Sequence, residues 1–430
     1  MKVNTVKLEN FRCFKEIELV LDPHMTVLTG NNASGKTALL KALAIGLGAY
    51  LSGMDIQNLN VPDIGLQDIR YETIAAGDTF ERQQQFPVSI SVEAEFSDRG
   101  KVSWQRVRKT PKGRATRIES LPAIEIGADC QHRIREGDDS LILPVLGWYS
   151  AERSWLQTKV RGPLPRFERL SGYVDCFSGK SNETMMLKWI IKRSWAQFQK
   201  RKPDSQLSAV CSILSEVFEM LTGIPEADFI YDPNEAEFVL HYLDQQGFPV
   251  SRPFSTLSGG CRELLMLSAD IAWRMSLLNP QLKVPARDVP GIIMIDEIEC
   301  HLHPQWQGKI LQILQTVFPS IQFIAATNSP FIIQSVPRNQ LRILESADSV
   351  LTIADKSRGA SIHSILDDIM NVPLWPADIH NKFSELDNAI SQENWILAEQ
   401  KMEELRMVIG PNDPDLLRRE ITLSFKKSQF

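Results

Sequence analysis

The chain has 430 residues, of which 43% are hydrophobic and 23% charged, with a net charge of −6 and an isoelectric point near 5.8. That balance is the one of a globular protein with room for two or three domains, and it excludes nucleic-acid binding through bulk charge, leaving only local basic patches for that role. The six cysteines (Cys13, Cys130, Cys176, Cys211, Cys261, Cys300) form no C-x-x-C pair, the N-terminus does not read as a signal peptide, and no run of about 18 apolar residues is present. A reducing, cytoplasmic setting without membrane contact is therefore expected.

Residues 2–30 read as β-rich. Val3, Val6 and Leu8 lead into a turn holding Arg12, Ile17, Leu19 and Leu21 alternate in a second strand, and Asp22-Pro23 turns into a third with Met25, Val27 and Leu28. This strand runs into Gly30–Thr37, GNNASGKT, which matches G-x-x-x-x-G-K-[ST]. In such a turn Gly30 and Gly35 let the backbone N–H groups of Asn31, Asn32, Ala33 and Ser34 point inward at a phosphate. Lys36 reaches the outer phosphates, the Thr37 hydroxyl serves Mg²⁺, and the helix opening at Ala38 presents its positive end to the anion. Arg12 is placed beside the nucleotide because the strands around it pair near this loop.

Residues 51–83 read as a polar loop region, and residues 88–96 and 101–109 as an antiparallel hairpin. Arg108, Lys109, Lys112, Arg114 and Arg117 form a basic run that reads as solvated loop ends, with local DNA contact as the alternative. Residues 140–149 read as a buried strand leading to Tyr149, Glu152 and Arg153. An insertion follows, opened by Pro163 and Pro165 and carrying two helices; the first contains Trp189, Trp195 and Phe198, read as core, and ends in a basic patch. No heptad run is long enough for a coiled-coil arm.

LSGG (Leu257, Ser258, Gly259, Gly260) opens one amphipathic helix to Asn279, and its small residues leave helix N–H groups available to an anion. GIIMIDE is a buried strand ending in two carboxylates: Asp296 to hold Mg²⁺ through its water shell and Glu297 to polarise the attacking water. A crossover helix (HLHPQWQGKILQILQTVF), a parallel strand (IQFIAAT) and the terminus Asn328-Ser329-Pro330 complete a βαβ unit. His301 and His303 stand two apart, on different sides if helical, and no third ligand is expected beside them, so a metal site is not read there.

Phosphate loop, LSGG and Asp296-Glu297, in this order, resemble the ABC-type ATPase heads of the SMC and RecF group. The resemblance covers residues 1–154 and 254 to about 345 and implies an α/β fold: a P-loop NTPase head with a mixed sheet and an antiparallel β lobe, a helical insertion and a helical C-terminal tail. Its domains would be 1–154 (first ATPase lobe), 155–253 (insertion), 254–360 (second lobe) and 361–430 (partner-docking tail). It further implies ATP and Mg²⁺ as cofactors, with ATP on residues 30–38 and Arg12. The motif Leu257–Gly260 would bind the γ-phosphate of a nucleotide held by another subunit, so a head-to-head dimer is expected. Lys36, Asp296, Glu297 and Asn328 would carry turnover. In related heads His301 and His303 would lie in the loop coupling the two active sites. One departure matters. Asn328 stands where these heads usually have histidine; it can hydrogen-bond a phosphate or water but cannot carry a proton charge, so slow hydrolysis is implied. A glutamine for the usual Q-loop is not fixed, with Gln67 and residues 150–153 as candidates.

Tyr149 and Arg153, LNP at residues 278–280, HLHPQWQ and FPSIQFIAATNSP are similar to a compact bacterial branch of these heads, and within it to the ATPase subunit of Septu-type and retron-associated antiviral defence systems, whose partner is an HNH nuclease. The alternatives are a RecF- or SMC-like DNA-repair ATPase and an OLD-like nuclease with its own Toprim-like domain, for which the tail offers only Asp413 and Asp415. The tail also carries an apolar set (Phe383 to Phe425) larger than a helix pair can bury. Part of it is expected to pack on the ATPase body and the rest to dock another subunit.

Overall fold

The computed structural model describes residues 1–428 apart from 58, 77–78, 152–165, 180–182, 233–236, 245, 283–286, 347–348, 352–356, 371 and 373–374. It divides into two units, Met1–Ala360 and Ser361–Phe430. Glu152, Arg153, Pro163 and Pro165 lie outside the described residues.

In the first unit β1 (Lys2–Phe11) and β2 (Phe14–Val20) form a hairpin, and β3 (Met25–Gly30) leads to α1 (Lys36–Leu51). The stretch read as loop holds a second hairpin, β4 (Tyr71–Ala76) and β5 (Thr79–Gln84), whose side chains are largely polar and so give no alternation to read. β6 (Val88–Phe96) and β7 (Gly100–Arg108) pair antiparallel, and α2 (Leu121–Arg135) follows. β8 is only Val145–Tyr149, shorter than the run expected, because Pro144 cannot donate to the ladder. Next come α3 (Glu183–Lys200), α4 (Ser205–Thr222), β9 (Asp228–Asp232), β10 (Glu237–Leu243) and β11 (Pro249–Pro253). The unit closes with α5 (Gly259–Leu278), β12 (Gly291–Ile295), α6 (Pro304–Val317), β13 (Ile321–Ala326), α7 (Pro330–Ser335), β14 (Leu341–Ser346) and β15 (Ser349–Leu351).

Two sheets organise these elements. The six-stranded one runs β15-β14-β3-β13-β12-β8, parallel from β14 through β8 and antiparallel only at β15. Its central strands read as unbroken apolar runs because both faces are covered. All residues of β12 and β13 are buried, as are Met25 to Thr29 of β3. The four-stranded antiparallel sheet runs β2-β1-β6-β7. Gln322 is fully buried in β13 and joins the two sheets. It accepts from Val3 N and donates to Val3 O, both at 2.8 Å, so a side-chain amide replaces a missing ladder rung. Asn279 does the same at the end of α5, accepting from Leu143 N at 2.8 Å and donating to Leu143 O at 3.0 Å.

The insertion combines the two helices with the three-stranded sheet β11-β10-β9. Trp189 is buried with Arg193 over its ring, but Trp195 and Phe198, read as core, are 54% and 73% exposed. The reason is helical phase. Met186, Trp189 and Ile190 define the buried stripe, and residues 195 and 198 fall off it.

The second unit begins with a short turn, α8 (Ile362–Ser364), and consists of α9 (Ala377–Ser391), α10 (Trp395–Ile409) and α11 (Pro414–Lys427). Within this unit the three helices bury an apolar set around Phe383, Leu386, Ala398, Leu405 and Leu416. Arg419 pairs with both carboxylate oxygens of Asp387 (2.8 and 2.9 Å) and lies over the Phe383 ring, tying α11 to α9. Asp413 caps α11 by accepting from the backbone N–H groups of Asp415 and Leu416.

Candidate functional site

The parallel order of β3, β13 and β12 brings three strand ends to one edge of the sheet, where crevices form in open α/β folds. A cavity of about 520 Å³ opens there, lined by Arg12, Cys13, Asn32 to Ala38, Asp296, Glu297 and Ala326 to Asn328.

The phosphate loop is a turn closed by Ser34 N donating to Asn31 O at 3.1 Å. Ala33 and Gly35 take positive φ of 67° and 101°. At Gly35 a Cβ would stand 2.3 Å from the Phe14 ring, so glycine is required on both counts. Lys36 Nζ donates to the carbonyls of Gly30 (2.7 Å) and Asn31 (3.1 Å), which holds its stem along the loop. Burial lowers its pKa below the ordinary lysine value, against the opposing pull of Asp296, Glu299 and Glu297. Thr37 Oγ1 donates to Asp296 Oδ2 at 2.6 Å. These two hard oxygens converge as a Mg²⁺ ion that keeps several waters and phosphate ligands requires, and the pair fits that ion.

Asp296 is buried, with its N–H on Tyr149 O at 2.8 Å; the next residue, Glu297, is exposed and sits at φ 47°. The two carboxylates thus have opposite surroundings. Asn328 lines the same cavity. Its N–H donates to Glu299 Oε1 and the Thr327 hydroxyl to Glu299 Oε2, each at 2.7 Å, so one carboxylate grips the whole turn. Ser329 donates to Gln307 Oε1 at 2.6 Å and caps α7.

Arg12 reaches the cavity from the β1–β2 turn at φ 52°, with its Nε 2.8 Å from Asp68 Oδ1. Lys41 Nζ meets the same oxygen at 2.8 Å, and Gly65 N donates to Oδ2. Asp68 is fully buried and is a positioning residue the sequence reading did not contain; an aspartate in an irregular stretch carries no signal of what lies opposite it. Its neighbour Gln67 is exposed and does not line the cavity. Ser150, which opens the other candidate stretch, donates to Gly179 O at 2.7 Å.

The signature residues lie elsewhere. Ser258, Gly259 and Gly260 line a second cavity of about 710 Å³ with Arg262, Glu263, His301, His303, Gln305 and Trp306, and none of Leu257 to Gly260 lines the first. Ser258 is the N-cap of α5 in extended backbone and makes no side-chain capping bond, so the first amides of the helix and the hydroxyl face outward. A Cβ at Gly260 would stand 2.3 Å from His301 O; glycine lets the turn after Glu297 pack directly on the helix start. His301 and His303 are not helical: His301 is in the left-handed region and His303 caps α6. The absence of a third ligand, read from spacing, does not hold in space, where Glu263 and Cys300 lie beside His301.

Of the basic run, Arg108 donates to the carbonyls of Ile64, Thr110 and Pro111, and Lys109 pairs with Glu119 at 3.2 Å, so these two charges are engaged within the chain. No described helix is long and apolar enough to cross a membrane.

Fold and cavity define a P-loop nucleotide-binding protein, and comparison with known proteins agrees. The AAA domain family model AAA_23 matches residues 5–209. The chain is 25% identical to the retron Vc95 probable ATPase of Vibrio cholerae, over 81% of this chain and 74% of that protein, and 22% identical to the retron Ec83 probable ATPase of Escherichia coli, over 99% and 87%. It is 28% identical to Septu protein PtuA of Bacillus thuringiensis over 30% of this chain and 35% of that one. Among solved structures, the SMC head bound to the C-winged helix domain of ScpA aligns with 82% of this chain at a TM-score of 0.43 and 16% identity. The chain is thus similar to the AAA_23 family over residues 5–209 and to the retron probable ATPases and Septu PtuA, and that similarity implies ATP binding.

Proposed function

We propose that the chain hydrolyses ATP at a site shared between two copies, and that the ATP-bound dimer controls a separate effector, a nuclease of the HNH type, in antiphage defence. The observation that carries the shared site is the separation of the two cavities: the phosphate loop, Asp296 and Glu297 line one, and the Ser258 helix start lines another. A second copy presenting its Ser258–Gly260 amides would complete the first. The retron and Septu relatives support the defence setting.

In this mechanism the loop amides and Lys36 bind the phosphates, and Thr37 and Asp296 would hold Mg²⁺, which neutralises phosphate charge. Glu297 is exposed to the cavity and takes the proton of the attacking water. Asn328, on the turn gripped by Glu299, orients that water without exchanging a proton.

The test is Glu297→Gln in the full-length protein, followed by light scattering and turnover with ATP and Mg²⁺. ATP binding within a few-fold of wild type, arrested turnover and an accumulated dimer are expected, and Ser258→Arg should abolish turnover and the dimer while sparing ATP binding. Wild-type turnover by a preparation that stays monomeric in ATP would refute the shared site.

A further inference from the structure

Beside the signature helix, Glu263, Cys300 and His301 bring one ligand atom each within 4.8 Å of one another. Glu263 comes from the second turn of α5; Cys300 and His301 come from the turn after Glu297. The carboxylate and the imidazole Nε2 are 3.6 Å apart. Two ligands at about 2.0–2.2 Å from one tetrahedral ion stand roughly 3.3–3.6 Å apart, so this edge is already at coordination spacing.

We propose that these three residues form a transition-metal site, with Zn²⁺ as the best-fitting ion. The donor set decides the metal class. A thiolate and an imidazole with one carboxylate suit Zn²⁺ or Co²⁺, whereas Mg²⁺ and Ca²⁺ take oxygen ligands throughout. Three protein ligands leave a fourth position open to the 710 Å³ cavity, which the exposed His301 also lines.

The scaffold under the cluster is stiff. Gly260 admits the His301 carbonyl against the helix start, Cys300 N donates to Glu297 O at 2.9 Å, and Leu302 N donates to Glu299 O at 2.9 Å. A metal here would staple the start of the signature helix to the turn that carries Glu297 and Glu299. Resting on the shared-site reading, this makes the ion a regulator: it sits in the cavity that a second copy's nucleotide has to enter.

Binding can be read without ATP and without a dimer, so its failure is distinct from failure of the shared site. Full-length protein, freed of metal by chelator, is titrated with Co²⁺. One equivalent should bind and give a thiolate-to-cobalt charge-transfer band, which Zn²⁺ then displaces. Cys300→Ser should remove the band; His301→Ala and Glu263→Gln should each weaken Zn²⁺ binding about tenfold or more. Cys211→Ser, at a cysteine outside the cluster, should leave binding unchanged. Absence of the cobalt band in wild type, or equal Zn²⁺ affinity and stoichiometry in wild type and a Cys300→Ser/His301→Ala double variant of unaltered circular dichroism, would overturn the site.

Discussion

Arg12 and Asp68 meet at 2.8 Å across 56 positions of sequence, and the aspartate is fully buried while the arginine lines the phosphate-loop cavity. The pair makes Arg12 a pre-aimed cation rather than a mobile surface side chain, and Lys41 is the second cation on Asp68. Asp68→Asn keeps the shape and loses the charge. It should raise the KM for ATP severalfold and reduce stability by about 1–3 kcal/mol. A double-mutant cycle with Arg12→Ala should show coupling above roughly 0.5 kcal/mol, and additive effects would remove Asp68 from the nucleotide site.

Lys36 works against the stability of the nucleotide-free protein. Its folded pKa is lowered by burial, so between that value and the unfolded lysine value of 10.5 the unfolded chain binds more protons, and stability rises with pH in that window. At neutral pH the partly buried ammonium is therefore a cost. Lys36→Met should melt at an equal or higher temperature without nucleotide, yet lose the upward shift that ATP with Mg²⁺ gives wild type. The lost phosphate contact should weaken ATP binding by about 1.5–3 kcal/mol. A variant that melts several degrees lower without ligand would show that the lysine's bonds to Gly30 and Asn31 outweigh its desolvation.

Asn328 stands in the cavity with its backbone anchored to Glu299. Asn328→His should change the turnover rate and give it a pH dependence near neutrality, with ATP affinity within a few-fold. Rate and pH profile both identical to wild type would place residue 328 outside the reaction.

Tyr149, Asp270 and Arg274 form a buried triad. Tyr149 donates to Asp270 Oδ2 at 2.6 Å, Arg274 Nε donates to the same oxygen at 2.8 Å, and Arg274 Nη1 donates to the carbonyls of Gly172 (2.8 Å) and Val174 (3.0 Å). Burial, then Asp270, hold the tyrosine protonated well above the usual phenol range. Burial pulls the guanidinium down, but Asp270 and Tyr149 outweigh it and its pKa stays raised. Arg274→Met strands a carboxylate in the core and should cost about 3–5 kcal/mol in urea unfolding. A loss below about 1 kcal/mol would mean that water reaches Asp270.

The tail unit leaves Ile396, Met407, Ile421 and Phe425 exposed, each by more than 60%. As the proposed docking face, they predict that Ile421→Ser/Phe425→Ser keeps ATP turnover and melting temperature but fails to recover the effector on co-purification. Retention of the partner at full stoichiometry would move the docking surface to the insertion.

The sequence by itself determined the phosphate loop, the signature helix start and the Asp296-Glu297 pair. Each is a contiguous motif whose strand, turn and helix follow from local periodicity and from glycines at fixed offsets. Tertiary structure decided what those motifs meet. Thr37 finds Asp296 across 259 positions only because β13 lies between β3 and β12. Asp68 reaches Arg12, Glu299 grips the Asn328 turn, and Glu263 joins Cys300 and His301 through loop paths that leave no periodic trace. The insertion shows the same limit in reverse: Trp195 and Phe198 have the composition of core, and the phase of one helix turned them to solvent. Spacing encodes which groups share an element, whereas sheet order and helix phase decide which groups share a site.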